Sequence, residues 1–592
     1  MHIILSVFTL FLAGGATAQQ VADSVAPEAA SSGTFAGMSP RVAAAFDAKA
    51  AAKPVIAQNW MVAAANPYAV EVGANVLAKG GTAADALVAV QAMLGLVEPQ
   101  SSGLGGGAFL VWYDAASGAM TTLDGRETAP LDVTPQLFQN DKGEPLGFFD
   151  AVVGGRSVGT PGTPALMSAV HARWGNQDWS DLLAPAVAMA EKGFVVSPRL
   201  AGLVAEDAER LAGSATAAAY FMPDGMPVRA GDTLKNPDYA RTLSTMAQEG
   251  TEAFYTGKIA QDIVATVQGA QGNPGVLSEV DLAIYRVKER PAVCASYREH
   301  DVCGMGPPSS GALAVGQILG LLNSYDLSAG PADENVLRLI GDASRLAFAD
   351  RGRYVADSDY VPVPVKGLLD PGYLSERAKL LAGDDALPEV VPGVPAFDHA
   401  LNWADDRAIE LPSTSHISIV DSMGNVASMT TTIENGFGSR LMVDGFLLNN
   451  ELTDFSFSSH ADGVPIANRV EPGKRPRSSM APTIVMKDGT PVLAVGSPGG
   501  SRIIGYVAGA IIAYLDWGMD VQQAVALPHA VNRFGPYDLE EGTQAADMAG
   551  ALTALGYETG TRALTSGLHM IAIGHDLRGG ADPRREGIAL GE

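Results

Sequence analysis

Residues 413–432 read STSHISIVDSMGNVASMTTT, the most informative segment of the chain. His416–Val420 is apolar and β-branched, Asp421–Asn425 has the composition of a tight turn, and Val426–Thr432 is a second extended run. The pattern predicts a β-hairpin whose first strand begins almost directly after Ser413. The hairpin is preceded by Leu380–Leu411, which is acidic, weakly periodic and contains Pro, as expected of an exposed connection.

Other segments supply further strands and helices around this hairpin. Helices are predicted at Pro67–Lys79, Thr82–Leu96, Ala165–Arg173, Asp181–Glu191 and Ser501–Leu515, and strands at Ala108–Tyr113, Thr121–Asp124, Gly445–Leu448, Thr483–Met486 and Val492–Val495. Hairpins that form a sheet with helices on its faces make a layered α/β fold. Residues 19–55 are rich in Ala, Ser and Pro, which predicts a loose lead-in.

The composition is that of a large globular protein with an acidic surface. The chain has 592 residues, 47% of them hydrophobic, and a net charge of −26. Such a surface repels phosphate backbones and anionic lipid headgroups, so a nucleic-acid partner or adhesion to anionic membranes is not expected.

The N-terminus resembles an export signal. An apolar run at Ile3–Ala13 precedes Ala16-Thr17-Ala18, a small-x-small pattern typical of signal-peptidase cleavage. We therefore predict a signal peptide at residues 1–18 and a periplasmic or secreted protein, although the first residues lack Lys and Arg. The alternative is a buried strand or helix of the mature protein. No Cys follows the cleavage site, so a lipid membrane anchor is not indicated.

The chain has two cysteines, Cys294 and Cys303, nine residues apart. On neighbouring strands in an oxidising compartment they would form a disulfide; the alternative is a pair of inert buried thiols. Neither cysteine lies in a zinc-binding pattern, so no metal site is predicted.

The boundary between Ser413 and Thr414 suggests nucleophilic chemistry. A threonine hydroxyl is a poor nucleophile without an adjacent base, and a freed α-amine with a pKa of about 8 is such a base. Thr414 would gain that amine if its hydroxyl attacked the Ser413 carbonyl and the resulting ester hydrolysed. The alternative is that Thr414 is an ordinary β-former at the start of a strand.

Ten ordered motifs resolve this choice. The chain resembles the γ-glutamyltranspeptidases, also called glutathione hydrolases, from about residue 58 to its end. The motifs that carry the resemblance are TSHISIVDSMGN (414–425), TTTIENGFGS (430–439), LLNNELTDFS (447–456), KRPRSSMAPT (474–483), GSPGGSRII (496–504), SSGLGGGAF (101–109), LDGRETAP (123–130), GTPGTPA (159–165), GPPSSGA (306–312) and GGADPRREG (579–587).

The resemblance implies a four-layer αββα sandwich of the N-terminal nucleophile hydrolase type, formed by two chains after self-cleavage. A large subunit, residues 19–413, and a small catalytic subunit, residues 414–592, would stay together as a heterodimer. The implied reaction cleaves the γ-glutamyl amide of glutathione or a related compound and passes the acyl group to water, an amino acid or a peptide. It needs no cofactor.

The resemblance also implies roles for catalytic residues. Thr414 matches the nucleophile, and Thr432 matches a threonine that orients it; Thr430 and Thr432 share one strand face by the two-residue period. Gly499 and Gly500 match the oxyanion hole, where successive backbone N–H groups stabilise developing negative charge. His416 is interpreted as a packing residue on the same face as Thr414, and a role as catalytic base is the less favoured alternative.

Substrate-binding roles follow by the same matching. Arg126 matches an arginine that binds the donor α-carboxylate, assisted by Ser478 and Ser479, and the guanidinium fork gives bidentate geometry. The α-ammonium would be held by Glu434, Glu451 and Asp454, where some relatives carry Asn in place of Glu434 and Gln in place of Glu451.

The segment 455–473 is interpreted as the counterpart of a lid over the pocket. Residues 455–473 occupy the place of a lid but lack the aromatic-rich sequence of some members, which predicts a site that is not fully closed.

Two rival functions remain. One is a cephalosporin or glutaryl acylase of the same family, against which the three acids argue. The other is an inactive, uncleaved γ-glutamyl-binding protein.

Overall fold

The structure is a computed structural model that describes residues 35, 37–399, 402–406, 408 and 410–592. The signal-peptide prediction for residues 1–18 lies outside the described residues. Among the described residues, no helix has both the length and the apolar character needed to cross a membrane.

Two seven-stranded sheets form the centre of the molecule. In chain order the strands are β1 Val55–Ala57, β2 Met61–Ala64, β3 Gly107–Asp114, β4 Ala119–Gly125, β5 Phe194–Val195, β6 Thr233–Leu234, β7 Lys288–Arg290, β8 Val293–Tyr297, β9 His300–Gly304, β10 Ser415–Val420, β11 Val426–Thr432, β12 Met442–Val443, β13 Phe446–Leu447, β14 His460–Ala461, β15 Val464–Pro465, β16 Thr483–Lys487, β17 Thr490–Gly496, β18 Ala530–Val531, β19 Tyr537–Glu540, β20 Thr559–Arg562, β21 His569–Ile573, β22 Leu577–Ala581 and β23 Ile588–Gly591. The first sheet has the order β23-β2-β10-β11-β3-β4-β7 and the second the order β1-β22-β21-β17-β16-β9-β8.

Helices cover the outer face of each sheet. The α-helices span Pro40–Ala50, Pro67–Ala78, Ala83–Val97, Phe148–Val152, Thr163–Trp174, Trp179–Lys192, Pro198–Glu206, Ala208–Leu211, Ala215–Phe221, Pro237–Glu249, Glu252–Thr256, Lys258–Gln268, Glu279–Ile284, Gly311–Leu322, Glu334–Tyr354, Val365–Leu368, Pro371–Ala378, Ile503–Leu515, Val521–Ala526, Gln544–Asp547 and Ala549–Ala554. Short 3₁₀ turns span Gly155–Ser157, Lys379–Ala382, Glu451–Asp454 and Gly500–Arg502.

Three apolar layers hold these elements together. Between the sheets, side chains such as Met61, Val111 and Ile571 pack into one buried cluster. A second cluster joins the first sheet to the helix Ala83–Val97, in which every residue is buried and whose start is fixed by a Thr82 capping box. A third cluster joins the second sheet to Ile503–Leu515. The result is the predicted four-layer αββα sandwich.

The predicted hairpin forms the middle of the first sheet. β10 pairs with β11 in antiparallel register, with Ser415 opposite Thr431 and His416 opposite Thr430. β2 and β3 flank the pair, so both hairpin strands are fully buried. Thr414 therefore lies immediately before a buried central strand.

One prediction outside the sheets is wrong in part. Within residues 19–55, the segment Pro40–Ala50 is a helix and not a loose lead-in. Pro40 occupies the first helical turn, which suits proline, and Val42 and Ala45 are buried on one face.

The two cysteines, Cys294 and Cys303, form a disulfide and are not a pair of free thiols. The bond joins directly opposed residues of β8 and β9.

Candidate active site

Thr414 lies immediately before β10 and is held in an unusual backbone conformation. Its φ is +90°, a region that β-branched residues rarely adopt. Its Oγ1 lies 3.1 Å from Oγ1 of Thr432. The Glu434 N–H donates to the same Thr432 oxygen at 2.8 Å, so the Thr432 hydroxyl hydrogen is available for Thr414. The structure therefore places Thr432 beside Thr414, on the strand face that the two-residue period assigns to Thr430 and Thr432.

The peptide bond before Thr414 is also engaged. The Gly499 N–H donates to the Ser413 carbonyl oxygen at 3.2 Å, and the Ser413 hydroxyl donates to the Gln100 carbonyl at 3.0 Å. Gly499 and Gly500 have φ values of +132° and +58°, which glycine adopts without strain. Gly499, one of the two residues predicted to form the oxyanion hole, thus contacts the chain's own carbonyl in the uncleaved chain.

Arg126 is fully buried, and its N–H groups are directed at acids and carbonyls. Nη1 donates to Glu451 Oε1, and Nη2 lies 2.5 Å from Asp454 Oδ2. Nε and Nη2 also donate to the carbonyls of Pro476 and Arg477, at 3.2 and 2.9 Å. The predicted carboxylate-binding cation is therefore paired with two of the three acids predicted to bind an ammonium.

The three acids form one buried group with raised pKa values. Glu434 accepts hydrogen bonds from Asn450 Nδ2 at 2.6 Å and from the Leu411 N–H at 3.1 Å. Burial, reinforced by the charge of Asp454, raises the pKa of Glu434 well above its usual value. Burial likewise raises the pKa values of Glu451 and Asp454, and the charge of Arg126 only partly opposes it. The group is suited to gain either protons or a cationic ligand.

The two predicted serines have different surroundings. Ser479 Oγ donates to Glu410 Oε2 at 2.6 Å and accepts from Arg351 Nη2 at 3.0 Å. Ser478 Oγ accepts from the Met480 N–H at 3.1 Å. Burial alone would raise the pKa of Glu410, but the charges of Arg351 and Arg477 and the Ser479 hydrogen bond hold it below its usual value.

The segment that precedes Thr414 lies inside the site. Glu410 and Leu411 line the same pocket as Thr414, Arg126 and Glu434, and a cavity of only about 10 Å³ remains. That is about the space of one water molecule. A γ-glutamyl group therefore has no room while residues 410–413 keep this position.

Two contacts in the site are absent from the sequence-based predictions. Arg585 Nη1 donates to the Thr414 carbonyl at 3.1 Å, and Glu410 pairs with Arg351. The motif GGADPRREG, which contains Arg585, supports the family resemblance, but the resemblance assigns no role to Arg585. Neither contact has a local sequence signal, since the partners are 171 and 59 residues apart.

His416 is placed as predicted, whereas the lid assigned to residues 455–473 stays a prediction. His416 is buried on the Thr414 face, with Nδ1 2.9 Å from Thr430 Oγ1 and Nε2 3.0 Å from Ser418 Oγ. Burial lowers its pKa well below the usual value, so the ring is neutral. In the segment 455–473, Phe457 stacks on Phe138 with ring centroids 4.7 Å apart.

The molecule has two stacked sheets between helical layers and a threonine immediately before a central strand. This arrangement defines the class of N-terminal nucleophile hydrolases. The profile of the family described as gamma-glutamyltranspeptidase matches residues 69–592. This chain belongs to that family.

Individual relatives support the assignment over most of the chain. The glutathione hydrolase proenzyme of Bacillus subtilis (strain 168) is 38% identical over 551 residues, which cover 90% of this chain and 92% of the relative. The protein of the same name from Escherichia coli (strain K12) is 35% identical, with 90% and 91% covered. The crystal structure of cephalosporin acylase from Bacillus halodurans superposes with a TM-score of 0.80 at 26% identity, covering 91% of this chain and 97% of that one.

Proposed function

We propose that this chain is a self-processing γ-glutamyltransferase and hydrolase that acts on glutathione or related γ-glutamyl compounds. The observation that carries the proposal is the contact between the Gly499 N–H and the Ser413 carbonyl, beside the Thr414 hydroxyl. The scissile carbonyl, a nucleophile and an oxyanion donor thus meet at one peptide bond.

The first reaction is cleavage of the precursor. The Thr414 hydroxyl attacks the Ser413 carbonyl, the Gly499 N–H stabilises the oxyanion, and the C–N bond breaks as the Thr414 nitrogen takes a proton. Water then hydrolyses the ester between Ser413 and Thr414. The products are a large subunit, residues 19–413, and a small subunit, residues 414–592, which remain packed as a heterodimer.

The second reaction uses the amine that cleavage creates. The free α-amine of Thr414 accepts the hydroxyl proton while the oxygen attacks the γ-amide carbonyl of the donor. Gly499 and Gly500 stabilise the oxyanion, and the leaving amine departs with the proton. Water, an amino acid or a peptide amine then attacks the carbonyl of the γ-glutamyl ester, and the bond to the Thr414 oxygen breaks. No step in this scheme requires a cofactor.

The donor pocket supports the γ-glutamyl class. Once residues 410–413 leave, Ser478, Ser479 and Arg126 are available to an α-carboxylate, while Glu434, Glu451 and Asp454 are available to an α-ammonium. The N-terminal signal pattern supports export of the protein to the periplasm or the medium.

A cephalosporin or glutaryl acylase is the second candidate, favoured by the likeness to the Bacillus halodurans acylase. The three buried acids speak against it, because a glutaryl group has no ammonium to pair with them. The deciding experiment compares γ-glutamyl-p-nitroanilide with glutaryl-p-nitroanilide on the processed protein. We expect kcat/KM to favour the γ-glutamyl compound by at least about 100-fold. Preference for the glutaryl compound would reject the proposal.

The third candidate, an inactive γ-glutamyl-binding protein, is tested on a denaturing gel. Our proposal requires two fragments from purified protein, whereas a binding protein remains one full-length band.

A further inference from the structure

Glu127 is a buried acid that the proposed reaction does not yet use. It follows Arg126 in the chain, is completely shielded from solvent, and lies 4.0 Å from Arg126 Nη1. Neither of its carboxylate oxygens accepts a hydrogen bond from any described residue. The glycine backbone at position 107 closes one side, since a β-carbon there would lie 2.3 Å from Glu127 Oε2. A buried carboxylate without partners is costly, so this side chain requires an explanation.

The group that faces Glu127 is another carboxyl. Both carboxyls face the same nitrogen, because Arg126 Nη1 donates to Glu451 Oε1 and lies 4.0 Å from Glu127 Oε2. Glu451 Oε1 is bound by Arg126, whereas Glu451 Oε2 is buried and has no donor among the described residues. Two ionised carboxylates beside one nitrogen repel each other, whereas a single proton between them gives each carboxyl a hydrogen-bonding partner.

We propose that Glu127 and Glu451 share one proton, and that Glu127 is a positioning residue that keeps Glu451 as a neutral hydrogen-bonding group in the donor pocket. A protonated Glu451 has the shape and hydrogen-bonding capacity of glutamine. The inference rests on the proposed γ-glutamyl function and specifies how its donor pocket is tuned.

The surrounding charges are consistent with this arrangement. Arg126 is the cation in contact with Glu451, and Asp454 lies on the other terminal nitrogen of the guanidinium. Glu434 and Glu410 add negative charge in the uncleaved chain. The hydroxyls of Tyr255 and Tyr285 are the neighbouring phenols, and burial raises the pKa of each, so both stay neutral. Burial raises the pKa of Glu127 to about 8, against the opposing charge of Arg126. Burial also raises the pKa of Glu451, so the pair as a whole keeps a proton at neutral pH and releases it at alkaline pH.

Loss of the proton has a defined consequence for donor binding. An ionised Glu451 pairs more strongly with Arg126 and competes with the α-carboxylate of the donor for the same guanidinium. KM should therefore rise at alkaline pH. Neither acid contacts Thr414, so the pH profile of kcat should keep its shape.

The test measures KM and kcat for γ-glutamyl-p-nitroanilide from pH 6 to 10. It uses the processed wild type, Glu127→Gln, Glu451→Gln and, as a control, Glu144→Gln in an exposed turn. We expect the wild type and the control to lose donor affinity above about pH 8, approaching 10-fold per pH unit relative to the two pocket variants. Titration of the donor's own amine is common to all four proteins. Parallel KM profiles in all four would overturn the inference.

A second measurement does not depend on activity. The melting temperature is followed between pH 5 and 9 in the uncleaved Thr414→Ala background, with and without each Gln substitution. A raised folded-state pKa means that the folded protein holds a proton that the unfolded chain has released, so stability falls as pH rises through this window. We expect the decrease to be smaller in both Gln variants, and equal decreases would contradict proton sharing. If the processed wild type fails to turn over the γ-glutamyl substrate, the proposed function fails while this measurement still decides the inference.

Discussion

The backbone N–H of Gly499 donates a 3.2 Å hydrogen bond to the carbonyl oxygen of Ser413. An amide that is suited to stabilise a substrate oxyanion therefore already holds the chain's own carbonyl. The next residue, Thr414, has a φ of +90°, and a strained backbone of this kind costs about 1–3 kcal/mol. Cutting the peptide bond would release that strain, which would favour the proposed cleavage at this bond.

Replacing the nucleophile should abolish both reactions. We expect Thr414→Ala to run as one band of 61.1 kDa, or slightly less if a signal peptide is removed, and to have no γ-glutamyl activity. N-terminal sequencing of the small wild-type fragment should give Thr-Ser-His-Ile-Ser. Thr431→Ala is the matched control, because its buried hydroxyl has no partner among the described residues and should not affect cleavage. Activity in a wild-type protein that keeps Ser413 joined to Thr414 would refute the mechanism.

Removing only the Thr432 hydroxyl should slow both reactions without abolishing them. Thr432→Val keeps the shape of the side chain but leaves the Glu434 N–H without its acceptor and Thr414 Oγ1 without its neighbour. The loss of a buried hydrogen bond costs about 1–3 kcal/mol, so the cleavage rate and kcat should fall roughly 10- to 100-fold. Thr432→Ser restores the hydroxyl and should recover most of the rate. A Val variant as fast as the wild type would exclude an orienting role for Thr432.

A methyl group at Gly500 should interfere with precursor cleavage. The β-carbon would lie 2.4 Å from the Glu410 carbonyl oxygen, and the φ of +58° disfavours alanine. We expect Gly500→Ala to accumulate uncleaved chain, measured as the ratio of the gel bands over time. Gly509→Ala, on the helix Ile503–Leu515 with open space at its β-carbon, should cleave at the wild-type rate. Equal cleavage rates in both variants would mean that the backbone near Glu410 moves away from the added methyl group without slowing cleavage.

The sequence predicts those parts of the site that follow local rules. The period of two places Thr430 and Thr432 on one face, and the turn at Asp421–Asn425 sets the register that brings Thr432 to Thr414. The family resemblance adds Arg126, which the fold brings to the acids at 434–454 from about 300 residues away in sequence.

Other contacts depend on tertiary packing that no local pattern reveals. Arg585 reaches the Thr414 carbonyl from the C-terminal region of the chain, and Glu410 reaches Ser479 because its connecting segment enters the pocket. The acidic, weakly periodic segment 380–411 looks like an exposed loop by composition. Its final residues are buried, because Arg351 and Arg477 supply the opposite charge.

Arg126→Lys tests whether the guanidinium fork, and not only its charge, binds the donor. Lysine keeps a cation beside Glu451 and Asp454 but cannot make the four hydrogen bonds that Arg126 directs at two carboxylates and two carbonyls. We expect kcat/KM for γ-glutamyl-p-nitroanilide to fall at least about 100-fold, equivalent to about 3 kcal/mol, mainly through KM. Cleavage into two fragments should continue, because Arg126 makes no contact with Thr414 or Ser413 among its hydrogen bonds. Arg286→Lys, at a surface position, is the control for a general effect of the exchange. An unchanged KM in a processed Arg126→Lys protein would mean that the donor carboxylate is bound elsewhere.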